Sequence, residues 1–437
     1  MAAGGSVMTE AQVTPREALG RWIVGYRSPI ADRSLRVVYL WDADYPWDVR
    51  TEKICATLAS AGHDVHVVAR NRAWRPTREC LPEGTVHRMQ PWRFAGRRLD
   101  SVLGFPLFFS PRWRRLLDRT VRAVRPDVII ARDIPLAATA ISIGRRRGVP
   151  VVLDLAENYP AMMRMIFEGR RQRLFDYALR NPAAVAVVER YCLTRAARVW
   201  VVIDEMAERL VRLGVPADRI DLVSNTPPRR RAEADPPLRM RKPGEPLTLV
   251  YLGLLEIDRG LGELLDAVAL LRDEGCAVRC TIVGKGRDAE IFRRQARALH
   301  LGEESVRFLG YVDRETALAT AVRDADIGVL PNHMNEAWNT TIPNKLFDYM
   351  AEALPVISSN VAPFARIVRD TQAGEVFEAG NAQSLADAIR RLVDASRRTA
   401  CGASGRAAVL ARYHWERDTE ALLRGLELAA RSISRVR

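Results

Sequence analysis

The stretch LRVVYLWDADYPWDVRTEKICATLASAGHDVHVVA, residues 35–69, holds two short apolar runs on either side of a helix-like segment. Residues 35–40 are apolar except for Arg36, partly β-branched and followed by a turn-prone sequence, which is typical of a buried parallel strand. Residues 48–61 space their apolar side chains near the helical period and stop at Gly62, a good helix C-terminus. A second strand follows at 65–69, so the stretch predicts one strand, helix, strand unit of a parallel sheet.

The same alternation recurs along the chain. Further strands are predicted at residues 127–130, 149–153, 198–203, 220–223, 248–252, 279–283, 306–309, 327–330 and 355–358. Helices are predicted at residues 262–273, 289–299, 315–323 and 344–353, in the stretches that end near 148 and before 198, and after 384. The fold class is therefore α/β, with two facing Rossmann-like, doubly wound domains and a ligand-binding cleft between them.

A proline-rich stretch without hydrophobic period interrupts this pattern at residues 227–246 and predicts a linker. We expect a leader at 1–34, an N-terminal domain at 35–226, a C-terminal domain at 247–412, and a last helix at 413–437 that could cross back to the N-terminal domain.

The composition of the chain indicates its size class and its cellular compartment. The chain has 437 residues and 48% hydrophobic residues, enough for two cores, and no apolar run approaches the roughly 20 residues that span a bilayer. Its first residues lack the apolar core of a secretory signal, and its six cysteines have no metal-binding spacing. We therefore expect a cytoplasmic protein with reduced thiols and no bound metal.

The net charge of +14 is unevenly distributed. Residues 1–246 hold about 42 Lys and Arg against about 27 Asp and Glu, and the remainder about 25 against about 26. An anionic partner of the N-terminal half would explain this excess, whether phospholipid, lipid-linked phosphate or nucleic acid. A GC-rich genome, which inflates arginine content, would explain it equally well.

Polar residues follow several predicted strands of the C-terminal half. The sequence NTTIPNK, residues 339–345, precedes the helix at 344–353, whose start offers unpaired N–H groups and the positive end of a dipole to a diphosphate. Lys345 could add a charge, and Asp348, one turn on, could accept hydrogen bonds from a ribose diol. The alternative is an ordinary capped helix with a surface lysine.

Glycines follow two other predicted strands. Gly253 is followed by Arg259 and Gly260, and Gly284, Lys285 and Gly286 come after the next strand. Glycine permits close backbone approach to a ligand, and an arginine can bind phosphate through two N–H groups. In the N-terminal half, Asp133 and Glu157 also follow strands, where they could serve chemistry or merely cap helices.

Together these residues resemble the retaining family 4 glycosyltransferases of the GT-B fold, over roughly residues 35–425. The most specific segment is PNKLFDYMA at 343–351 followed by PVI at 355–357, which looks like the subgroup of bacterial polysaccharide and glycolipid enzymes whose donor helix opens with Pro-Asn-Lys. Supporting matches are ARD at 131–133 with Pro135 and Leu136, ENYP at 157–160, SNTP at 224–227, and Gly253 with Arg259 and Gly260.

The resemblance implies metal-independent, retaining transfer of a sugar from a nucleotide diphosphate sugar, with no further cofactor. It implies a C-terminal domain that binds this donor and an N-terminal domain that binds a glycan or lipid-linked acceptor. The expected catalytic residues are Asp133, Glu157, Arg259 and Lys345. The expected donor-binding residues are Gly253, Gly260, Gly284, Lys285, Gly286, Tyr311, Thr340, Ile342, Pro343, Asn344, Leu346 and Asp348. The expected acceptor-binding residues are Trp47, Arg50 and Arg132.

The chain departs from the family pattern at several positions. Thr340 and Asp348 stand where the family usually has two glutamates, so the sugar-contacting carboxylate is missing and the ribose-contacting one is shortened. Leu254 replaces a common arginine, and Arg132 and Ala156 stand where related enzymes often carry histidine. A non-catalytic nucleotide-sugar-binding partner therefore stays open as an alternative, as does a nucleotide-sugar epimerase.

Arginines alternate with aromatic residues at 91–115 and again at 162–173. Such residues place rings among lipid headgroups and charges on phosphates, so we expect peripheral attachment to the inner face of the cytoplasmic membrane. The alternative is that the rings fill the core. Nucleic-acid binding is disfavoured, because no recognition motif accompanies the charge.

Overall fold

A computed structural model describes residues 33–91, 108, 110–168, 181–235 and 245–432. Two sheets of mostly parallel strands organise these residues, as the alternating pattern predicts.

The first sheet has eight strands in the order β3-β4-β2-β1-β5-β6-β7-β8. These strands are β1 (Arg36–Leu40), β2 (Asp64–Ala69), β3 (Arg78–Leu81), β4 (Gly84–Arg88), β5 (Val128–Arg132), β6 (Val151–Leu155), β7 (Arg198–Val201) and β8 (Ile220–Leu222). Strand β3 pairs antiparallel with β4, whereas β4, β2, β1, β5 and β6 run parallel. The sequence does not predict the edge strand β3 and its neighbour β4, because both strands are short and partly exposed and show no apolar run.

Within the described residues of this part of the chain there are seven α-helices. They are α1 (Val49–Ser60), α2 (Pro111–Val124), α3 (Ile134–Arg147), α4 (Tyr159–Glu168), α5 (Pro182–Leu193), α6 (Asp204–Arg212) and the short α7 (Arg229–Glu233). Helix α1 begins at Asp48, whose side chain accepts from the amide of Thr51 at 2.9 Å. Helix α3 ends at Gly148 in the left-handed conformation, with φ of 66°.

The second sheet has six parallel strands in the order β11-β10-β9-β12-β13-β14. These strands are β9 (Leu247–Leu252), β10 (Val278–Val283), β11 (Val306–Gly310), β12 (Ile327–Leu330), β13 (Val356–Ser359) and β14 (Gly374–Phe377). The helices are α8 (Leu261–Asp273), α9 (Ala289–Ala298), α10 (Arg314–Ala317), α11 (Asn344–Ala351), α12 (Ala362–Thr371), α13 (Ala382–Arg391), α14 (Ala395–Ala411) and α15 (Trp415–Arg431). Helix α12 and strand β14 are not predicted by the sequence pattern.

Helix α11 is fixed against the sheet by one aromatic side chain. A Cβ on Gly328 of β12 would lie 2.3 Å from the Tyr349 ring, so only glycine leaves room for this ring on the strand. The Tyr349 hydroxyl accepts a hydrogen bond from the backbone N–H of Leu252, the last residue of β9, at 3.0 Å. The end of β9 and the start of α11 are therefore held in fixed relation.

The chain divides into two compact units. One comprises the chain up to Asp154, Arg195–Arg198 and the stretch from Leu423; the other comprises Leu155–Thr194 and Val199–Leu422. The second unit contains the predicted linker, which includes the short helix α7; five residues are too few to show a hydrophobic period, so no helix is predicted there.

Candidate active site

Three glycines let two loops of the second sheet pack backbone against backbone. Gly253 follows β9 with φ of 144°, and Gly284 follows β10 with φ of 148°. A Cβ on Gly284 would lie 1.8 Å from the carbonyl oxygen of Gly253, and one on Gly286 would lie 2.1 Å from that of Leu255. Side chains are excluded at both positions, so peptide groups line this part of the sheet edge.

The loop after β9 continues into a 3₁₀ turn, Ile257–Arg259, which ends at Gly260. A Cβ on Gly260 would lie 1.8 Å from the carbonyl oxygen of Pro331, which follows β12. The Arg259 guanidinium lies over the Trp338 ring, 4.3 Å from its centroid, and the Trp338 indole N–H donates to Asp258 at 3.1 Å. The buried Nε of Arg259 has no hydrogen-bond partner in the described part of the chain.

Lys345 lies in the first turn of α11 and is 8% exposed. Its Nζ is 3.8 Å from the centroid of the Tyr251 ring and would lie 3.4 Å from a Cβ on Gly253. No described residue supplies a hydrogen-bond partner for this buried ammonium group. Burial, followed by the positive charge of Arg259, holds the pKa of Lys345 well below its usual value, and Asp258 offsets only part of this effect.

The start of α11 carries no side-chain cap. Pro343 occupies the cap position with φ of −77° and ψ of 141°, and no side chain there accepts from the first backbone N–H groups. The preceding carbonyl of Ile342 accepts from the Asn225 side chain at 3.2 Å. The helix start, Lys345 and Arg259 together form a cationic site that suits a diphosphate.

The two positions where the family usually has glutamate behave differently from each other. The Thr340 hydroxyl donates to the carbonyl oxygens of Glu336 at 2.9 Å and Ala337 at 3.2 Å, so its donor serves the local backbone. Asp348 is 3% exposed, and both its carboxylate oxygens accept from Arg314. Their expected roles toward the donor stay predictions.

Lys285 and Tyr311 lie together at the ends of β10 and β11. The Lys285 Nζ is 4.3 Å from the centroid of the Tyr311 ring, and Tyr311 is 62% exposed. The pair combines charge with an aromatic surface, a combination suited to a nucleotide.

In the first sheet, a buried carboxylate gathers two of the expected acceptor-binding residues. Asp154, at the end of β6, accepts from Arg50 at 2.6 and 3.0 Å, from the Tyr39 hydroxyl at 2.6 Å and from Arg132 at 3.3 Å. Burial alone would raise the pKa of Asp154, but Arg50 and Arg132 outweigh this effect and hold the pKa below its usual value. Both guanidinium groups are therefore engaged in an internal network, whereas Trp47 is 64% exposed.

Asp133 adopts a backbone conformation that non-glycine residues rarely occupy, with φ of 54° and ψ of −178°. It precedes α3, but its side chain does not cap that helix. Its carboxylate lies 3.3 Å from the Nε of Arg132. Strain of this kind concentrates at functional sites, which supports the functional reading over the capping alternative. Near Glu157, the residue that hydrogen-bonds the helix start is its neighbour Asn158, which accepts from the amide of Ala161 at 3.3 Å.

Several residues of the donor region escaped the sequence analysis. The rings of Tyr251 and Trp338 contact the two expected cations, and Asp258 accepts a hydrogen bond from Trp338. Asn332, fully buried after β12, has no hydrogen-bond partner among the described residues for either side-chain polar atom. Asn332 could have been found by applying the strand-end rule to β12. The aromatic residues could not, because nothing in their spacing distinguishes them from core residues.

Two family models match the chain. The model for the glycosyl transferase 4-like domain matches residues 48–226, and the model for glycosyl transferases group 1 matches residues 246–395. The phosphatidyl-myo-inositol mannosyltransferase of Mycobacterium leprae is 34% identical over 194 residues, which are 43% of this chain and 48% of that protein. The glycogen synthase of Mycobacterium tuberculosis is 26% identical over 355 residues, 78% of this chain and 80% of that protein. The chain thus matches about half the length of the mannosyltransferase and about four fifths of the synthase.

Solved structures share the architecture. Sucrose-phosphate synthase from Thermosynechococcus elongatus superposes with a TM-score of 0.71 at 19% identity, over 90% of this chain and 98% of that one. HepE from Anabaena, solved with UDP and glucose, superposes with a TM-score of 0.66 at 14% identity, over 90% and 99%. At these identities the likeness shows the fold, which is GT-B. With the two family models, it places this chain in the GT-B glycosyltransferase superfamily.

None of the helices within the described ranges is both long and apolar enough to cross a bilayer. The described side chains also form no group of three or more histidine, cysteine, aspartate or glutamate residues that could hold a metal ion.

Proposed function

We propose that this chain is a retaining glycosyltransferase that moves a sugar from a nucleotide diphosphate sugar to a lipid-linked or polysaccharide acceptor in cell-envelope glycan synthesis. The observation that carries the proposal is Lys345: its ammonium group is buried over the Tyr251 ring near Gly253 and has no hydrogen-bonded counter-charge among the described residues. A buried cation without a partner is costly unless a ligand supplies the counter-charge. The Pro-Asn-Lys sequence assigns the chain, within this proposal, to the polysaccharide and glycolipid subgroup.

The chemistry follows from the charges. As the bond between sugar and diphosphate breaks, negative charge grows on the leaving phosphate oxygen. Lys345, Arg259 and the N–H groups at the start of α11 would stabilise that charge without reorganising. These residues can do so without a metal ion, so the proposal includes no metal and no cofactor besides the donor substrate.

Donor and acceptor are assigned to different parts of the chain. The residues at 247–412 would bind the nucleotide sugar. Asp348 would contact the ribose, and Lys285 and Tyr311 would contact the nucleotide. The residues at 35–226 would bind the acceptor, with the strained Asp133 and Glu157 near the reacting hydroxyl and Trp47 on its surface. Relatives named for phosphatidyl-myo-inositol mannosylation and for amylovoran biosynthesis support a glycolipid or polysaccharide acceptor.

We also propose peripheral contact with an anionic membrane on its cytoplasmic face, through a surface that includes Arg114 and Arg115 of the stretch at 91–115 and extends beyond that stretch. The Trp113 ring is fully buried, which corrects the expectation that it lies among headgroups, and residues 92–107 and 169–180 lie outside the described part of the chain. The exposed arginines of α2 and the end of α3 are Arg114, Arg115, Arg119, Arg122, Arg125, Arg145, Arg146 and Arg147. Asp118, the one acidic residue of α2 and α3, pairs with three of these arginines, at 2.6, 2.8 and 2.9 Å. One carboxylate cannot neutralise eight guanidinium groups, so the surface is strongly cationic.

Flotation with anionic liposomes tests this contact. The pair Arg115→Glu and Arg119→Glu should abolish flotation, whereas the matched pair Arg294→Glu and Arg297→Glu on α9 should not. Equal flotation of both double variants would refute the assignment of this surface.

A non-catalytic nucleotide-sugar-binding partner is the second candidate. The observation that favours it is Thr340, which offers no carboxylate to the sugar and donates its hydroxyl proton to local carbonyl groups. Tight donor binding with neither hydrolysis nor transfer to any acceptor would decide for it.

Thermal denaturation against UDP-, GDP-, ADP- and dTDP-linked sugars tests the proposed function first. A ligand at 100 times its Kd stabilises the native state by about 2.7 kcal/mol, which shifts the midpoint by several degrees. The shift should vanish in Lys345→Met and Arg259→Gln and persist in the control Arg297→Gln, an exposed arginine of α9. If no donor raises the midpoint, or if Lys345→Met responds like the wild type, the donor-site assignment is wrong.

A further inference from the structure

Asp348 lies one turn after Lys345 on α11, where its carboxylate is held from the side by one guanidinium group. The Nε of Arg314 donates to Oδ2 at 3.2 Å, and its Nη2 donates to Oδ1. The side chain of Asp348 is 4% exposed and that of Arg314 is 22% exposed. This two-point contact fixes the plane of the carboxylate, which a single hydrogen bond would not do.

Arg314 is itself held in place. It begins α10, where the Asp313 side chain accepts from the Thr316 amide at 3.1 Å and fixes the start of the helix. Its remaining nitrogen, Nη1, donates to Glu315 at 2.9 Å. All three guanidinium nitrogens of Arg314 are therefore used by two carboxylates.

The predicted linker adds a second arginine to this network. Arg231, on α7, donates to Glu315 at 2.6 Å and lies 3.4 Å from Glu352 at the end of α11. The negative charge of Asp348 also acts on Arg231 and contributes to its raised pKa. Two guanidinium groups thus link the short linker helix, α10 and α11 around Asp348.

We infer that Arg314 is a positioning residue that orients the Asp348 carboxylate to accept hydrogen bonds from the two hydroxyls of the donor's ribose, with Arg231 supporting it from the linker. This inference rests on the proposed function. A carboxylate can accept about four hydrogen bonds, and Arg314 takes one on each oxygen, which leaves one acceptor direction on each oxygen for a diol. Aspartate is one methylene shorter than the glutamate usual in the family. The two hydrogen bonds from Arg314 therefore position the carboxylate oxygens of Asp348, where a longer side chain would extend toward the ribose.

The test is the ratio of affinities for nucleotides with and without the 2′-hydroxyl. Calorimetry with UDP and 2′-deoxy-UDP, and with the corresponding guanosine and adenosine pairs, should show for one base a preference for the ribonucleotide of roughly tenfold or more, as expected for a hydrogen bond to a charged acceptor. Arg314→Gln should reduce this ratio to that of Asp348→Ala, and Arg231→Gln should reduce it less. Arg323→Gln, an exposed arginine of the same segment, is the matched control and should leave the ratio unchanged.

Other outcomes separate the competing explanations. If Arg314 only stabilises the fold or touches the nucleotide itself, Arg314→Gln will weaken the binding of both nucleotides equally. The ratio of their affinities will then stay at its wild-type value, which overturns the inference. Wild-type binding without ribose preference, or binding of dTDP alone, overturns it and leaves the proposed function standing. If no nucleotide binds to the wild type, the proposed function and the inference fail together. Should Arg314→Gln not fold, Arg314→Lys keeps the charge without the two-point geometry and should lower the ratio in the same way.

Discussion

The strained backbone at Asp133 can be tested by comparing two substitutions that both remove its carboxylate. With φ of 54° and ψ of −178°, the residue is in a region that is essentially restricted to glycine and that costs other residues about 1–3 kcal/mol. Asp133→Gly relieves this strain, whereas Asp133→Ala keeps it. Glycine also makes the unfolded chain more flexible, which costs about 0.4–1 kcal/mol. We therefore expect Asp133→Gly to be more stable than Asp133→Ala by about 0.5–2 kcal/mol.

Urea denaturation measures the difference. Both variants lose the contact with Arg132, so the difference between their midpoints at equal slope isolates the backbone term. The control compares the wild type with Ala140→Gly, inside α3. Here the glycine variant should be the less stable one, because glycine destabilises a helix interior by about 0.5–1 kcal/mol. If Asp133→Ala is as stable as Asp133→Gly, the strain is no larger than the cost of glycine in the unfolded chain, about 0.4–1 kcal/mol; if Asp133→Ala is more stable by that amount, there is no strain. Under the proposed function, both variants lose transfer activity to the same extent because the carboxylate, not the backbone, contacts the acceptor.

Three further substitutions test other parts of the structure. Arg50→Ala leaves the buried carboxylate of Asp154 short of its main partner and should destabilise the protein by about 3–5 kcal/mol in urea denaturation; a loss below about 1 kcal/mol would contradict the buried network. Gly284→Ala would place a Cβ 1.8 Å from a backbone oxygen and should lower the melting temperature much more than Gly275→Ala, where φ is also positive but nothing lies within 4 Å. Burial and a neighbouring histidine lower the pKa of His87 to about 4, so between pH 4 and about 6.5 the unfolded chain binds more protons and stability falls as the pH falls. In His87→Gln the urea midpoint should depend less on pH in that window. An unchanged pH dependence would exclude His87 as the group responsible for it.

The sequence predicts the parts of this molecule that depend on local patterns. Strands, helices and the glycines after β9 and β10 follow from hydrophobic period and from the conformational freedom of glycine. The edge strand β3 and its neighbour β4 do not, because half-exposed strands of four or five residues leave no apolar run. Helix α7 was missed for a similar reason, since it has five residues.

The side-chain networks depend on contacts between distant residues. Arg50 and Asp154 are 104 residues apart in the chain, so no local pattern pairs them. The acceptor contact expected of Arg50 stays a prediction, and the sequence does not reveal that Arg50 also pairs with an internal carboxylate. Lys345 shows the reverse: the motif named the residue, but only the structure reveals that its ammonium group is buried without a partner among the described residues.

The Leu252 amide donates a hydrogen bond to the Tyr349 hydroxyl. Exchange of this one backbone proton therefore reports whether α11 is packed against the strand. In an ordinary parallel strand that amide would exchange with solvent at a rate set by the sheet ladder. Here its protection depends on a phenol carried by the helix that bears Lys345. Slow hydrogen exchange at Leu252 in the wild type, accelerated in Tyr349→Phe, would show the helix leaving and regaining its place on the strand, and a bound nucleotide would slow that motion further.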